Sequence, residues 1–310
     1  MKILAKTKSS DIATVYVAEI SHGKLAEMVE SVQPPIPRED KWVLIISTLY
    51  GCPVECRFCD CGGDYKGRID EAGLLAQIDF LIKSRYPGGK IPVRKIKIQF
   101  ARIGEPAYNP AVVSALWKLP LIYDISGMMP SISTVAPAGR EKFFENLMEV
   151  KHEIYPDSFQ MQFSVHSTDQ AQRDSLIPVK KMNFSEISDY GERFYGGSGR
   201  KITLNFAISK ESIIDAAVLK HYFNQDVFII KVTPVNPTYS AMREGLANEF
   251  NGAEQELINS IEESGFRVIK SVGELEENRI GSNCGQHIMN FLKRISPEET
   301  GSYTYNLEYL

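Results

Sequence analysis

The chain has no long apolar run. None of its 310 residues belongs to a stretch near the ~20 apolar residues that cross a bilayer. The N-terminus, MKILAKTKSSD, has too short an apolar stretch for a secretion signal. A cytoplasmic protein with no membrane partner is therefore expected. Repeats and low-complexity segments are also missing. So is a charge of one sign: 35 Lys and Arg stand against 39 Asp and Glu, a net charge of −4. That balance argues against a chain-wide grip on nucleic acid, which needs a concentrated positive surface, but leaves room for a local basic patch. Cysteine is scarce and unevenly spread. The five residues are Cys52, Cys56, Cys59, Cys61 and Cys284, four of them within ten positions. An odd, crowded set in a cytosolic chain points to metal binding or catalysis rather than disulfides.

What is present is an ordinary globular profile, 43% hydrophobic and 24% charged, enough to bury a large core. Residues 1–40 read as a small β extension, with short apolar stretches at 13–20 and 25–32 around Ser21-His22-Gly23. Gln33 to Pro37 (QPPIP) then breaks any regular element. Trp42 to Leu49 is a continuous apolar run, the mark of a strand covered on both faces. Leu74, Leu75, Ile78, Leu81 and Ile82 follow at helical spacing, with Asp70 placed to cap. Ile96, Ile98 and Phe100 alternate as a strand ending at Gly104-Glu105-Pro106. Further strands are expected at 131–135, 159–165, 202–208 and 227–232. Helices are expected at 110–118, 141–150, 184–194 and 211–222. Six β/α units imply a parallel sheet with right-handed crossovers, and six fit an open, partial (β/α)6 barrel better than a closed eight-unit one. The expected organisation is an extension (1–40), a barrel (41–240) and a C-terminal α/β segment (241–310) that carries Cys284.

The sharpest motif is Cys52-Pro-Val-Glu-Cys56-Arg-Phe-Cys59. Three thiolates so close can wrap one small cluster, and soft sulfur ligands suit iron–sulfur clusters and zinc. The loop follows a strand, at the edge where parallel sheets place ligands. One reading is a [4Fe–4S] cluster with an open iron for S-adenosylmethionine. The other is structural zinc with Cys61 as fourth ligand, although such sites usually draw on two separated pairs. Phe58, before the third cysteine, fits the radical SAM signature. Glu105 could accept a charge-assisted hydrogen bond from the cofactor's ammonium, with Gly104 letting the backbone approach. Ser164 and His166 end the fourth strand, and Asn236 the sixth. All three lie at the cysteines' edge, as cofactor contacts or as satisfied structural groups. Cys284, in Gly-Ser-Asn-Cys-Gly-Gln, reads as a loop thiol, either nucleophilic or incidental. Lys180, Lys181, Arg200 and Lys201 add positive charge, either solvated or contacting phosphate.

Together and in this order, the motifs resemble the RlmN/Cfr-type radical SAM RNA methyltransferases. The likeness runs from about Lys6 to Gln286. It rests on the cysteine loop, Gly104-Glu105-Pro106 with Asn109, Ser133-Thr134, Ser164-Val165-His166, Arg173-Asp174 through Lys181, Pro234 to Pro237, and Asn283-Cys284-Gly285-Gln286. The resemblance implies that Cys52, Cys56 and Cys59 hold the cluster and that Gly104, Glu105, Ser133, Ser164, His166 and Asn236 contact S-adenosylmethionine. It implies a Cys284 that is methylated and then gives up a hydrogen to the deoxyadenosyl radical. The resulting carbon radical adds to an sp² carbon of an RNA adenine. A reducing partner such as flavodoxin or ferredoxin is implied too. The chain departs from the family twice. Ile45 stands where the resolving cysteine is expected, leaving Cys61 as a substitute, and the 40 residues before the first barrel strand match no helical RNA-binding domain. Two other readings remain: the same radical chemistry on a peptide or small molecule, and a zinc-stabilised RNA-binding module without catalysis.

Overall fold

From Trp42 onward the predicted alternation of strands and helices is realised. The computed structural model describes residues 1–7, 11–88, 90–125, 127–247, 252, 254–271, 285–292 and 307–310. Its strands are β1 (Lys2–Thr7), β2 (Ala13–Ser21), β3 (Lys24–Val32), β4 (Trp42–Ile46), β5 (Ile96–Phe100), β6 (Met128–Thr134), β7 (Gln160–Ser164), β8 (Ile202–Ile208), β9 (Phe228–Pro234), β10 (Val268–Lys270) and β11 (Leu307–Tyr309). Its helices are α1 (Glu71–Arg85), α2 (Ala111–Ile122), α3 (Glu141–Ile154), α4 (Gln170–Leu176), α5 (Phe184–Tyr195), α6 (Ala216–Tyr222), α7 (Tyr239–Arg243), α8 (Glu254–Glu263) and α9 (Gln286–Phe291).

All the strands join one sheet in the order β10-β9-β8-β7-β6-β5-β4-β3-β2-β1-β11. From β4 to β10 neighbours run parallel, which βαβ crossovers require. The β1–β3 meander adds antiparallel strands and joins β4 through Met28 opposite Ile46. The N-terminal extension therefore continues the main sheet.

Strand alternation sorts the two faces. Ile96, Ile98 and Phe100 of β5 enter the main core with Leu74, Ile78 and Leu81 of α1. Burying such side chains yields ~1.5–3 kcal/mol each. The opposite face is polar, with Gln99, Ser133, Gln162, Asn205 and Lys231 on successive strands. Asp70 caps α1 as predicted, accepting from the Gly73 amide at 2.8 Å. Asn183 and Glu186 form a reciprocal capping box on α5.

Some expected bounds shift. β4 stops at Ile46 rather than Leu49, because the amides of Thr48 and Leu49 both donate to the Ile103 carbonyl. α6 begins at Ala216 rather than Glu211, where Asp215 caps it through the Ala217 amide at 2.7 Å. β1, α4 and α7 lacked a readable apolar pattern. The late helix and strand that the sequence pattern predicts at 254–263 and 266–270 are α8 and β10, and β10 joins the sheet parallel to β9. No helix among the described residues is long and apolar enough to cross a membrane.

Candidate active site

The strand-edge rule places the cysteine loop directly after β4, and two anchors hold it there. The Asp60 carboxylate accepts from the amides of Tyr239 and Ser240 at 2.9 and 2.8 Å, at the start of α7. Thr238 Oγ1 donates to the Phe58 carbonyl at 2.8 Å. Neither anchor was singled out in the sequence, since each joins segments far apart along the chain. Within the loop, the Cys59 amide donates to the Cys56 carbonyl and the Gly63 amide to the Cys52 carbonyl, each at 3.0 Å.

Cys52, Cys56 and Cys59 are free and half-buried, whereas Cys61 is buried. The first three line one cavity of about 480 Å³ together with Gly104, Glu105, Ser133, Ser164, His166 and Asn236, within the size range of small-molecule sites. Every sequence-predicted cofactor residue thus meets the three thiols in a single space. Cys284 lies outside the described residues. Its neighbour Gly285 is described. A Cβ there would stand 2.7 Å from the Asp60 carbonyl carbon, so its φ of +88° and its missing side chain fit it against the cysteine loop.

The thiols fit a cationic iron–sulfur centre by their chemistry. Burial first, and then the charge of Cys59, pushes the Cys52 thiol up to about 12. Burial and the charges of Cys59, Cys52 and Glu105 hold Cys56 well above its ordinary value. Cys52 and Cys56, which resist ionisation in that company, are relieved by metal positive charge. Among the described residues no group of three or more His, Cys, Asp or Glu is set to hold one metal ion. Cys61 directs its Sγ to the Arg102 carbonyl at 3.5 Å.

Glu105 is more engaged than expected. Its carboxylate accepts from Thr134 Oγ1 at 2.5 Å, from the Val135 amide at 2.9 Å and from the Ala107 amide at 3.0 Å. Burial raises it to about 7 despite those bonds. It ties the end of β5 to the end of β6. Gly104 (φ +105°) is forced, since a Cβ would lie 2.5 Å from Leu49 Cβ. Asn109, part of the resemblance, donates to the Thr48 and Ile69 carbonyls at 2.8 and 2.7 Å and is spent on structure. Gln162 Nε2 donates to Ser133 Oγ at 3.2 Å.

His166 adopts φ +65°, and its Nδ1 accepts from the Ala207 amide at 2.9 Å. Burial, then the Arg173 charge, lowers it to about 3. The ring is therefore neutral and carries its proton on Nε2. Phe58 packs edge-on against it with centroids 4.8 Å apart. Lys181, read as surface charge, is almost wholly buried and paired to Asp174 at 2.5 Å. Ile45 lines the same cavity, so the position of the expected resolving cysteine is present but apolar.

The fold is that of a radical SAM methyltransferase. A crystal structure so described from Sphaerobacter thermophilus superposes with a TM-score of 0.70 at 17% identity, over 92% of this chain and 81% of that one. Among curated proteins, the chain is similar to the probable dual-specificity RNA methyltransferase RlmN of Pseudothermotoga lettingae, 27% identical over 94% of this chain and 81% of that protein. The same-named proteins of Desulfitobacterium hafniense strain DSM 10664 / DCB-2 and Thermotoga maritima are 28% and 25% identical, over 80% and 91% of this chain and 67% and 81% of theirs. No family model matches the chain. The resemblance to RlmN-type enzymes read from the motifs thus extends over most of the chain.

Proposed function

We propose that the chain is a radical SAM methyltransferase on an open, partial (β/α)6 barrel, acting on an sp² carbon with an RNA adenine as substrate. The observation that carries this reading is the shared cavity, which joins three free thiols to polar groups from the ends of successive parallel strands. Cys52, Cys56 and Cys59 would hold a [4Fe–4S] cluster, and Gly104, Glu105, Ser133, Ser164, His166 and Asn236 would surround S-adenosylmethionine. When bound, that pair supplies one-electron chemistry, which an sp² carbon requires because it is a poor nucleophile toward a sulfonium methyl.

The chain's own residues divide the remaining work. His166 offers an Nε2–H donor fixed by the bond at Nδ1. Glu105 locks two strand ends so that the cavity wall keeps its shape. Phe58, Val54 and Val135 exclude water beside the thiols through a small apolar cluster. Cys284 is the methyl carrier in this reading, and the packing of Gly285 on the cysteine loop supports it. A flavodoxin- or ferredoxin-type donor would reduce the site.

Anaerobically reconstituted protein should show the broad brown iron–sulfur absorbance and release 5′-deoxyadenosine with a reductant. Mass spectrometry should find a methyl group on Cys284. A colourless preparation loaded with zinc would sink the proposal. Deoxyadenosine release without methylation of Cys284 would keep the radical chemistry and reject the methyl carrier.

A further inference from the structure

We propose that Tyr108 and Arg140 form a stacking platform for an unpaired base of single-stranded RNA at the rim of the cavity. The platform presupposes the RNA substrate proposed for that cavity.

Both residues stand at the sheet edge that carries the cysteine loop. Tyr108 ends the single 3₁₀ turn Pro106–Tyr108, directly after Gly104 and Glu105. Its half-buried ring packs on the small apolar cluster of Val54 and Val135, which themselves line the cavity. Cys52 and Cys56 pack on the same cluster. Arg140 lies between β6 and α3. It carries its guanidinium over the Tyr108 ring, with Cζ 4.8 Å from the centroid. Loops that follow two neighbouring strands thus meet in one aromatic–cation pair.

No acid holds that guanidinium. Its Nε is buried without a hydrogen-bond partner, and among the described residues the head has no ion pair. The acids beside the pair in sequence are engaged elsewhere. Glu141 accepts from the Gly139 amide at 3.2 Å, and Glu105 accepts from Thr134, Val135 and Ala107. A second cation comes to the same loop. The Ala138 amide donates to the Lys180 carbonyl at 3.0 Å, and the Met182 amide to the Ala136 carbonyl at 2.8 Å. These bonds fix the backbone of the exposed Lys180 beside the loop of Arg140, whereas Lys181 is paired to Asp174. α3 begins at that loop without a side-chain cap, so its first amides add positive potential.

The chemistry of the pair selects its partner. Unstacked bases lie on aromatic rings and guanidinium planes, and single strands are held by such platforms next to cations that follow the backbone. Tyr108 and Arg140 supply the platform. Lys180 and the start of α3 supply positive charge for a phosphate. Such a contact needs only a local patch, which a chain of net charge −4 can carry. A base that enters an enzyme cavity must first leave its stack. Its neighbour in the strand then loses a stacking partner. A platform at the rim replaces that partner and holds the strand while the target base reaches the cavity.

The probe is a short single-stranded oligouridylate carrying one 2-aminopurine, whose fluorescence falls on stacking. The full wild-type chain should bind and quench it. Tyr108→Leu and Arg140→Ala should each weaken binding at least about fivefold and restore the fluorescence. Arg140→Lys keeps the charge without the flat head and should weaken binding as well. Tyr108→Phe should bind like wild type. The Arg140 variants should melt like wild type, because Arg140 is only half-buried. Wild-type affinity in all of these variants would overturn the platform and leave the RNA substrate standing. Full affinity in Arg140→Lys alone would overturn it too, by reducing the contact to charge. An Arg140→Ala chain that binds S-adenosylhomocysteine more weakly, but the oligonucleotide as tightly, would assign Arg140 to the cofactor and overturn the platform. A wild-type chain that binds no oligonucleotide would overturn the RNA substrate itself, and the platform with it.

Discussion

Glu27 of β3 and Arg102, just after β5, form an ion pair at 2.6 Å with both side chains out of solvent. The same Glu27 carboxylate accepts from the Gly285 amide at 3.2 Å and the Ile288 amide at 2.7 Å. One buried acid thus fastens the start of α9 to the N-terminal extension and to the strand end that leads into Gly104 and Glu105. Removing one partner of a buried pair costs about 3–5 kcal/mol, because the other charge is left without compensation. Glu27→Ala should lose about that much stability in urea unfolding. A Glu27→Met/Arg102→Met double variant should recover only part of it, because the Gly285 and Ile288 amides still lose their acceptor. A single variant as stable as wild type would contradict the pairing.

The three thiols proposed to hold the cluster should act as a unit. Cys52→Ala, Cys56→Ala or Cys59→Ala should each remove most bound iron and bring 5′-deoxyadenosine release to background. Cys61→Ala should keep the iron, because its Sγ turns to the Arg102 carbonyl. Iron analysis and visible absorbance distinguish the two groups. Loss of iron in the Cys61 variant equal to that in the others would place Cys61 among the ligands.

Acid should destabilise the fold partly through His166. Its ordinary value is 6.5 and its folded value is about 3. The unfolded chain therefore binds the proton more readily, and stability must fall as pH drops through that window. The contribution is fully present above pH 6.5 and is lost progressively toward pH 3. Protonation would also break the bond from the Ala207 amide to Nδ1. His166→Gln should flatten this limb of a stability–pH profile, measured as its difference from wild type. Parallel profiles would show that His166 does not titrate in this way.

Gly104 leaves no room for a side chain. Gly104→Ala combines a disfavoured φ with a Cβ driven into Leu49, a cost of the order of 1–3 kcal/mol for the backbone alone. The variant should melt lower, and its cysteine loop should become more open to thiol labelling, since Leu49 leads into that loop. Unchanged melting and labelling would mean that the backbone adapts at no cost.

The parts of the site legible in the sequence were those whose chemistry demands close spacing along the chain. Cys52, Cys56 and Cys59, proposed to hold one cluster, share one loop, and Gly104-Glu105-Pro106 follows the strand beside it. The parallel order of strands was readable because apolar residues alternate with two different periods. Glu105 kept its predicted place but not its predicted freedom, since Thr134 and Val135 already occupy its oxygens. The Asp60, Thr238 and Glu27 anchors were not readable. An acid or a threonine becomes a clamp only when a distant amide or carbonyl is folded onto it, and nothing in the local pattern marks that event.

By itself, then, the sequence determined the sheet's repeating order and the thiol loop at its edge, because hydrophobic periodicity and ligand spacing are local properties. Tertiary structure alone decided that the loop, the strand-end residues and Ile45 open onto one cavity. It alone decided that Glu27 reaches Arg102 and the amide of Gly285. Those relationships depend on which strands become neighbours and which face each presents, and burial of the whole core settles both.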